Sequence, residues 1–458
     1  MDKYNHHTPR KRAAAIAGGF RIICGAVFAS ILLMASGCLD IPDEPNTAQE
    51  LERVSGESFI HLEFGVPGIK ASQFGVDMQK LALDAGIAAV YPPTAGIPEF
   101  KWNASAFIKA FVGIDIFPDC VVPTVGSMQG CFNLLMECSQ LHEDRKAVIY
   151  ISPGFPSHFL QAKILGLEAR TFDIYEYRGD KLGPKLEELM ADGKVCAMVY
   201  SNPNNPAWIN LTEGELKTIG ELCTKHDVIA LEDMAYLCMD FRSDRSKPFR
   251  PPYQPTVARY TDNYAIMISA SKIFSYAGER VGLVAISQKL FHREYPKLKE
   301  RYGLSSFGDN FILTYIYVNT SGCSRSAQNA MSEMMEASVS GKYDFVAEMR
   351  EYARRAHRSK EIFFSHGFSL VYDKDLDQDL SDGFFYTIGY KGLKGSVLLY
   401  NLLRCGVCAI TLNATRSEQQ GIRVCVSMLN KEEDFIKLDE RLGLFEGLIA
   451  EEGIMTTE

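Results

Sequence analysis

SASKIFSYAGERVGLVAIS, residues 269–287, sets a single lysine, Lys272, among small hydroxyl residues, with Arg280 eight positions further on. The apolar run NYAIMIS (263–269) leads into it, and a second, VGLVAIS (281–287), closes it. Both runs read as buried strands, so the lysine stands just past a strand end. Lysine is among the residues least often buried without a partner. A covalent or anionic partner is therefore expected here.

Three more apolar runs lie upstream: AVIYIS (147–152), VCAMVYS (195–201) and DVIALED (227–233). Between the last two, LTEGELKTIGELCTKH (211–226) opens with the capping pair Thr212 and Glu215 and repeats apolar residues at Leu216, Ile219 and Leu222, which predicts a helix. Alternating strands and helices predict an α/β fold, with a mostly parallel sheet sandwiched by helices. Ligands on such sheets sit beyond the carboxyl ends of the strands. From Asn329 the pattern turns to a long charged helical segment through Gly367 and then to short mixed elements, which predicts a smaller α+β domain joined through a continuous helix.

Length and composition narrow the function. The 458 residues suit two or three domains, and 47% hydrophobic with 23% charged residues is ordinary for a folded protein. A net charge of −9, with no long basic run after the first twelve residues, argues against nucleic-acid binding. P-loop, GxGxxG and HExxH patterns are missing, so small-molecule chemistry of another kind is expected. The twelve cysteines are scattered through apolar runs and read as reduced core thiols. Cys405 and Cys408 have CxxC spacing but no second pair, so they too read as structural, and no metal site is expected.

The first residues carry Lys3, Arg10, Lys11, Arg12 and Arg21 ahead of an uncharged stretch, residues 22–38. Two readings stand side by side. The stretch resembles a bacterial lipoprotein signal with Cys38 as the lipidated residue, or it is an apolar arm that packs on the protein or a partner. The location expected is cytoplasmic, with an exported lipoprotein as the alternative; membrane association would run only through residues 22–38.

Several polar residues fall at or beyond the predicted strand ends: Asn205 in VYSNPNNPAW (199–208), Asp233 and Tyr236 in ALEDMAY (230–236), then Lys272 and Arg280. Singly, these are ordinary turn and cap residues. In this order the set resembles the class I/II aminotransferases, pyridoxal-phosphate enzymes of the aspartate-aminotransferase fold (fold type I), over about residues 59–430. By that resemblance Lys272 bonds the cofactor aldehyde, Asp233 faces the ring nitrogen, and Asn205 and Tyr236 hydrogen-bond the ring hydroxyl oxygen. VGSMQGCFNLLMECSQ (125–140) reads as a glycine turn opening a helix. The N–H groups near Ser127, Met128 and Gln129 match phosphate ligands, as do Ser269 and Arg280. Phe155, otherwise a core residue, matches the aromatic that stacks on the ring. Tyr91, in Tyr-x4-Gly spacing with Gly96, matches a tyrosine reaching the phosphate of the neighbouring subunit, which implies a homodimer with shared active sites.

Arg423, in the apolar GIRVCVS (421–427), needs a carboxylate partner. Family members use an arginine here on the substrate α-carboxylate, with Gly65 as a backbone contact nearby; a structural ion pair is the plainer alternative. The implied domains are an N-terminal segment (1–58), a small-domain part (59–90), a large cofactor-binding domain (91–328) and a C-terminal small domain (329–458). The implied activity is amino transfer from an α-amino acid to a 2-oxo acid. A lyase or decarboxylase of the same fold, and a non-catalytic sensor that binds the cofactor, are the alternatives. Two positions depart from the family: Asn205-Pro206-Ala207-Trp208 where relatives continue Asn-Pro-Thr-Gly, and Met128 where a polar residue is frequent.

Overall fold

The computed structural model describes residues 51–53 and 56–454, so the apolar stretch 22–38 and Cys38 lie outside the described residues. The chain divides into two compact units. The larger comprises residues 66–354 and 372–384; the smaller comprises 355–371 and 385–458 with the described part of 1–65. The expected small-domain segments 59–90 and 329–458 are thus split between the units. One reason is packing: the helix Arg325–Val339 is tied to Pro98–Phe111 of the larger unit, where Asn103 Nδ2 donates to Ser332 Oγ at 2.9 Å, and Gln73–Asp84 lies on it so closely that a Cβ on Gly75 would meet Met334 Sδ at 2.6 Å.

The larger unit is built on seven strands: β2 (Val121–Thr124), β3 (Ala147–Ser152), β4 (Glu168–Asp173), β5 (Val195–Ser201), β6 (Ile229–Asp233), β7 (Tyr264–Ser269) and β8 (Gly282–Ile286). Their order is β2-β8-β7-β6-β5-β3-β4. Only the two pairings of β8 are antiparallel. Strands β3, β5, β6 and β7 are buried along their whole length, which is why each reads as a continuous apolar run. The edge strands escaped the sequence pattern: β2 has four residues including Pro123, and β4 is EARTFD with its first four residues at least partly exposed.

The helix Glu213–His226 follows β5 and carries the expected capping box: the Glu215 N–H donates to Thr212 Oγ1 at 3.2 Å, and the Thr212 N–H to Glu215 Oε2 at 2.9 Å. Glu215 also takes both edges of Arg178, at 2.7 and 3.0 Å. The remaining Arg178 nitrogen reaches Asp375 at 2.9 Å, and Asp375 accepts the Asn210 N–H at 3.1 Å. Arg178, Glu215 and Asp375 keep only 7%, 1% and 5% of their side chains exposed. Removing the cation would leave the buried Glu215 without its cation and Asp375 with Arg242 alone, at 2.8 Å. Arg178→Met is therefore expected to lower stability by about 3–5 kcal/mol, read as a shift in the denaturant midpoint; a loss under about 1 kcal/mol would mean water already screens the network.

In the smaller unit, β1 (Ile60–His61) pairs parallel with β13 (Val407–Cys408). A second sheet runs β14-β15-β12-β9, from Ile410–Thr411, Ile422–Cys425, Phe385–Gly389 and Ser369–Leu370. Phe363, Phe368, Tyr386, Tyr390 and Phe445 form its aromatic core. Helix Phe345–Ser365 carries residues of both units, and a turn at 340–344 separates it from Arg325–Val339. All ten described cysteines are buried free thiols. No helix among the described residues is long and apolar enough to cross a membrane.

Candidate active site

Because β2, β3, β5, β6 and β7 run in one direction, their carboxyl ends share one edge of the sheet, and the candidate residues of the larger unit other than Tyr91 follow those ends or, for Arg280, precede β8 at the same edge. Asp233 ends β6, paired in register with Ser201 of β5 and Met267 of β7. Lys272 follows β7 in the single turn Ala270–Ile273, which Ser269 caps by accepting the Ser271 N–H at 3.2 Å. Lys272 is half-buried, with Nζ 5.3 Å from the centre of the Phe384 ring. Asp233 is fully inside. Burial pushes its carboxyl up to about 7, against the pull of the Ala235 N–H and the Lys272 ammonium.

His158 Nε2 lies 3.6 Å from Asp233 Oδ2. Burial pushes this imidazole down to about 4, so it is neutral at physiological pH and offers no counter-charge. Sequence reasoning passed over His158, although it stands three residues after Phe155 on the helix Pro156–Ile164, the two ring centres 5.3 Å apart and nearly perpendicular. Asp233 is thus a buried acid that would be stabilised as its anion by a cation brought to it.

On the same sheet edge a helix start meets a guanidinium, an arrangement that could hold an anion. Gly126 opens the helix Gly126–Cys138 at φ +67, and a Cβ there would come within 2.7 Å of Arg280 Nη2. The bare glycine lets the guanidinium close on the helix start, whose first N–H groups have no partner within the helix. Ser127, Met128 and Gln129 belong to this first turn; Gln129 folds back to accept the Val125 N–H at 2.8 Å, and the Met128 carbonyl accepts from Gln161 at 3.0 Å. Ser269 Oγ donates to Ser271 Oγ at 3.0 Å, and Arg280 Nη1 reaches Ser271 Oγ at 3.4 Å. Ser271 is the member of this group that the sequence reading did not single out.

The departure at Trp208 has a structural account. Trp208 is fully buried at φ +62; its Nε1 donates to Ser381 Oγ at 2.9 Å, and its ring stands edge-on to Tyr236 at 5.4 Å. Gly383 makes room, since a Cβ there would fall 2.1 Å from the indole. Phe384, beside Gly383, packs on Tyr236 at 5.5 Å. The indole therefore fixes the wall behind Tyr236. Asn205, nearly buried, donates its N–H to Ser201 Oγ at 3.2 Å. Phe155 is half-buried on the same edge, after β3, while Tyr91 is 86% exposed.

In the smaller unit, Arg423 is buried on β15, its guanidinium 4.7 Å from the Phe385 ring centre and its Nη2 donating to the Glu63 carbonyl. A Cβ on Gly65 would approach Phe385 at 3.6 Å and Arg423 Nη1 at 4.0 Å.

The family model for aminotransferase class I and II matches residues 69–434. Among curated proteins, a probable aspartate aminotransferase of Methanocaldococcus jannaschii is 21% identical over 303 residues, covering 66% of this chain and 76% of that protein. An aspartate aminotransferase of Pyrococcus horikoshii is 28% identical over 244 residues, covering 53% and 59%. A probable kynurenine–oxoglutarate transaminase of Saccharomyces cerevisiae is 24% identical, covering 50% and 52%. The chain thus spans little more than half of the latter two. A solved structure of Thermus thermophilus aspartate aminotransferase superposes with a TM-score of 0.69 at 20% identity, covering 87% of this chain and 95% of that one. The aromatic aminotransferase of Pyrococcus horikoshii gives 0.67 at 21% identity, covering 89% and 100%.

Proposed function

The chain belongs to the class I and II aminotransferases, and from that premise we propose that it transfers an amino group from an α-amino acid to a 2-oxo acid with pyridoxal 5'-phosphate as cofactor. The observation that carries the reading is one sheet edge holding Lys272, the buried Asp233, and the Gly126–Arg280 cradle. The fit to the cofactor is chemical: an anion cradle for the phosphate, a lysine for the aldehyde, and a buried acid for the ring nitrogen. When bound, pyridoxal phosphate supplies a protonated ring that draws off the electron pair left when a bond at the substrate Cα breaks.

The residues of the chain do the rest. Ser127, Met128 and Gln129 N–H groups, Ser269 and Arg280 hold the phosphate; Phe155 covers one face of the ring, and Asn205 and Tyr236 hold its hydroxyl oxygen. Asp233 would keep a negative charge against the ring nitrogen, with the neutral His158, 3.6 Å from its Oδ2, orienting it. Lys272 Nζ, which would hold the cofactor aldehyde, would also be the base that takes the proton from the substrate Cα. Arg423 grips the α-carboxylate, with Gly65 as a backbone contact near it. Tyr91, so exposed in one chain, is given a role by a homodimer in which it reaches the partner's cofactor phosphate; light scattering of the purified protein tests the dimer.

An amino-donor panel against 2-oxoglutarate and pyruvate tests the activity. One new amino acid per donor keto acid is expected. Release of ammonia or carbon dioxide would make the protein a lyase or decarboxylase, and cofactor binding without turnover would make it a sensor. A cytoplasmic setting goes with the reading, and lipid found on Cys38 of the mature protein would overturn it. Gly126→Ala sets a β-carbon against Arg280 in a left-handed backbone worth about 1–2 kcal/mol. Cofactor affinity is expected to drop about tenfold or more, measured by fluorescence titration; unchanged affinity would remove the cradle from the phosphate site.

A further inference from the structure

In the smaller unit the parallel pairing of β1 with β13 brings together residues from opposite ends of the chain. His61 stands in register with Cys408. Its Nδ1 lies 2.6 Å from Glu63 Oε1, and its Nε2 lies 3.3 Å from Glu52 Oε1. One imidazole nitrogen, one Glu63 oxygen and Cys408 Sγ all lie within 4.8 Å of one another. Ligand atoms around one tetrahedral zinc ion are about 3.3–3.8 Å apart, so only small side-chain adjustments separate this cluster from a coordination shell.

An imidazolium held between two carboxylates is the competing account of the same contacts. It leaves one feature unexplained: Glu63 Oε2 is buried with no hydrogen-bond partner. A divalent cation would answer it, because it takes the carboxylate together with the neighbouring imidazole and the Cys408 thiolate.

We propose that His61, Glu63 and Cys408 bind a zinc ion, with Glu52 as the outer carboxylate that accepts the remaining imidazole N–H. The mixture of imidazole, thiolate and carboxylate suits zinc, and three protein ligands leave a fourth position to water. Glu52 matches the carboxylate–histidine–metal arrangement that fixes a ligand's tautomer and orientation. The thiol proton of Cys408 leaves to solvent as the metal enters. The CxxC spacing thus misdirects: Cys405 ends the helix Gly395–Arg404, and the partners of Cys408 come from the other end of the chain. The site also has a structural consequence, because the Glu63 carbonyl is the acceptor of Arg423. An ion held by the Glu63 side chain pins the backbone against which that arginine is set.

The test uses the full-length holoprotein, stripped with EDTA and titrated with Co²⁺, whose thiolate charge-transfer band reports a cysteine ligand. One ion per chain with that band is expected. His61→Asn and Cys408→Ala are each expected to weaken binding by at least about 100-fold and to remove the band. Glu52→Gln is expected to weaken it about 10- to 100-fold and keep the band. Should either core replacement fail to fold, the near-isosteric Glu63→Gln carries the same comparison. Absence of stoichiometric binding, or a band that survives His61→Asn and Glu63→Gln, would overturn the proposal and point to ligands elsewhere in the chain, such as His6, His7, Cys24 or Cys38.

Discussion

Lys272→Ala is expected to lower turnover by about 10⁴-fold or more, while the protein still folds and still takes up pyridoxal phosphate. Proton transfer by a positioned base is worth about 10²–10⁴-fold by itself, and this variant also loses the covalent hold on the cofactor. The fold should survive because the lysine is only half-buried and stands in a single turn whose cap, Ser269, is untouched. Two measurements separate this from general damage. Borohydride treatment of the wild type should fix a cofactor adduct on the peptide containing Lys272, and the variant should yield none. Cofactor affinity should change far less than turnover, since the Gly126–Arg280 cradle remains. Turnover within tenfold of wild type would remove Lys272 from the chemistry and, with it, the whole assignment of this sheet edge.

What the sequence disclosed follows from what stays local. The interior strands are legible because both faces are covered, leaving no polar alternation to confuse the pattern. The edge strands β2 and β4 are not, being short or half-exposed. Lys272, Asp233 and Asn205 were legible because each follows its own strand at a fixed point, and order along the chain preserves that. His158 reaches the candidate site through tertiary placement, which no spacing encodes, whereas Ser271 is local to Ser269 and Lys272 and gains its meaning from facing Arg280. The unit boundary hides for a related reason: segment 372–384 leaves the smaller unit and returns to the larger, where Ser381 takes the indole of Trp208 and Asp375 takes Arg178. A linear reading has no signal for a short excursion of that kind. Trp208 itself was visible as a departure, but its meaning depends on Gly383, far away in sequence and directly behind the ring.

Asp233→Asn should divide stability from catalysis in opposite directions. In the wild type without cofactor, burial lifts the folded carboxyl to about 7, far above its value of about 4 in an unfolded chain. Between those two values the folded state holds a proton that the unfolded state has lost, so the unfolded state binds fewer protons and stability falls as pH rises. The fall begins near pH 4, ends near pH 7, and amounts to no more than about 4 kcal/mol. An asparagine of the same shape has no such titration. The cofactor-free variant is therefore expected to be more stable than wild type at pH 8 and close to it at pH 4, read from thermal midpoints at both. Catalysis should move the other way. A buried charge set against a cationic ring nitrogen is worth about 3–5 kcal/mol when one partner is deleted, so turnover should fall about 10²–10⁴-fold. His158 cannot substitute, because burial keeps its imidazole neutral. If the variant kept wild-type turnover, Asp233 would be a structural acid only. If its stability instead fell with pH as the wild type's does, the buried carboxyl responsible would lie elsewhere, with Glu232, pushed up to about 7 by burial on the same strand, as the next to replace.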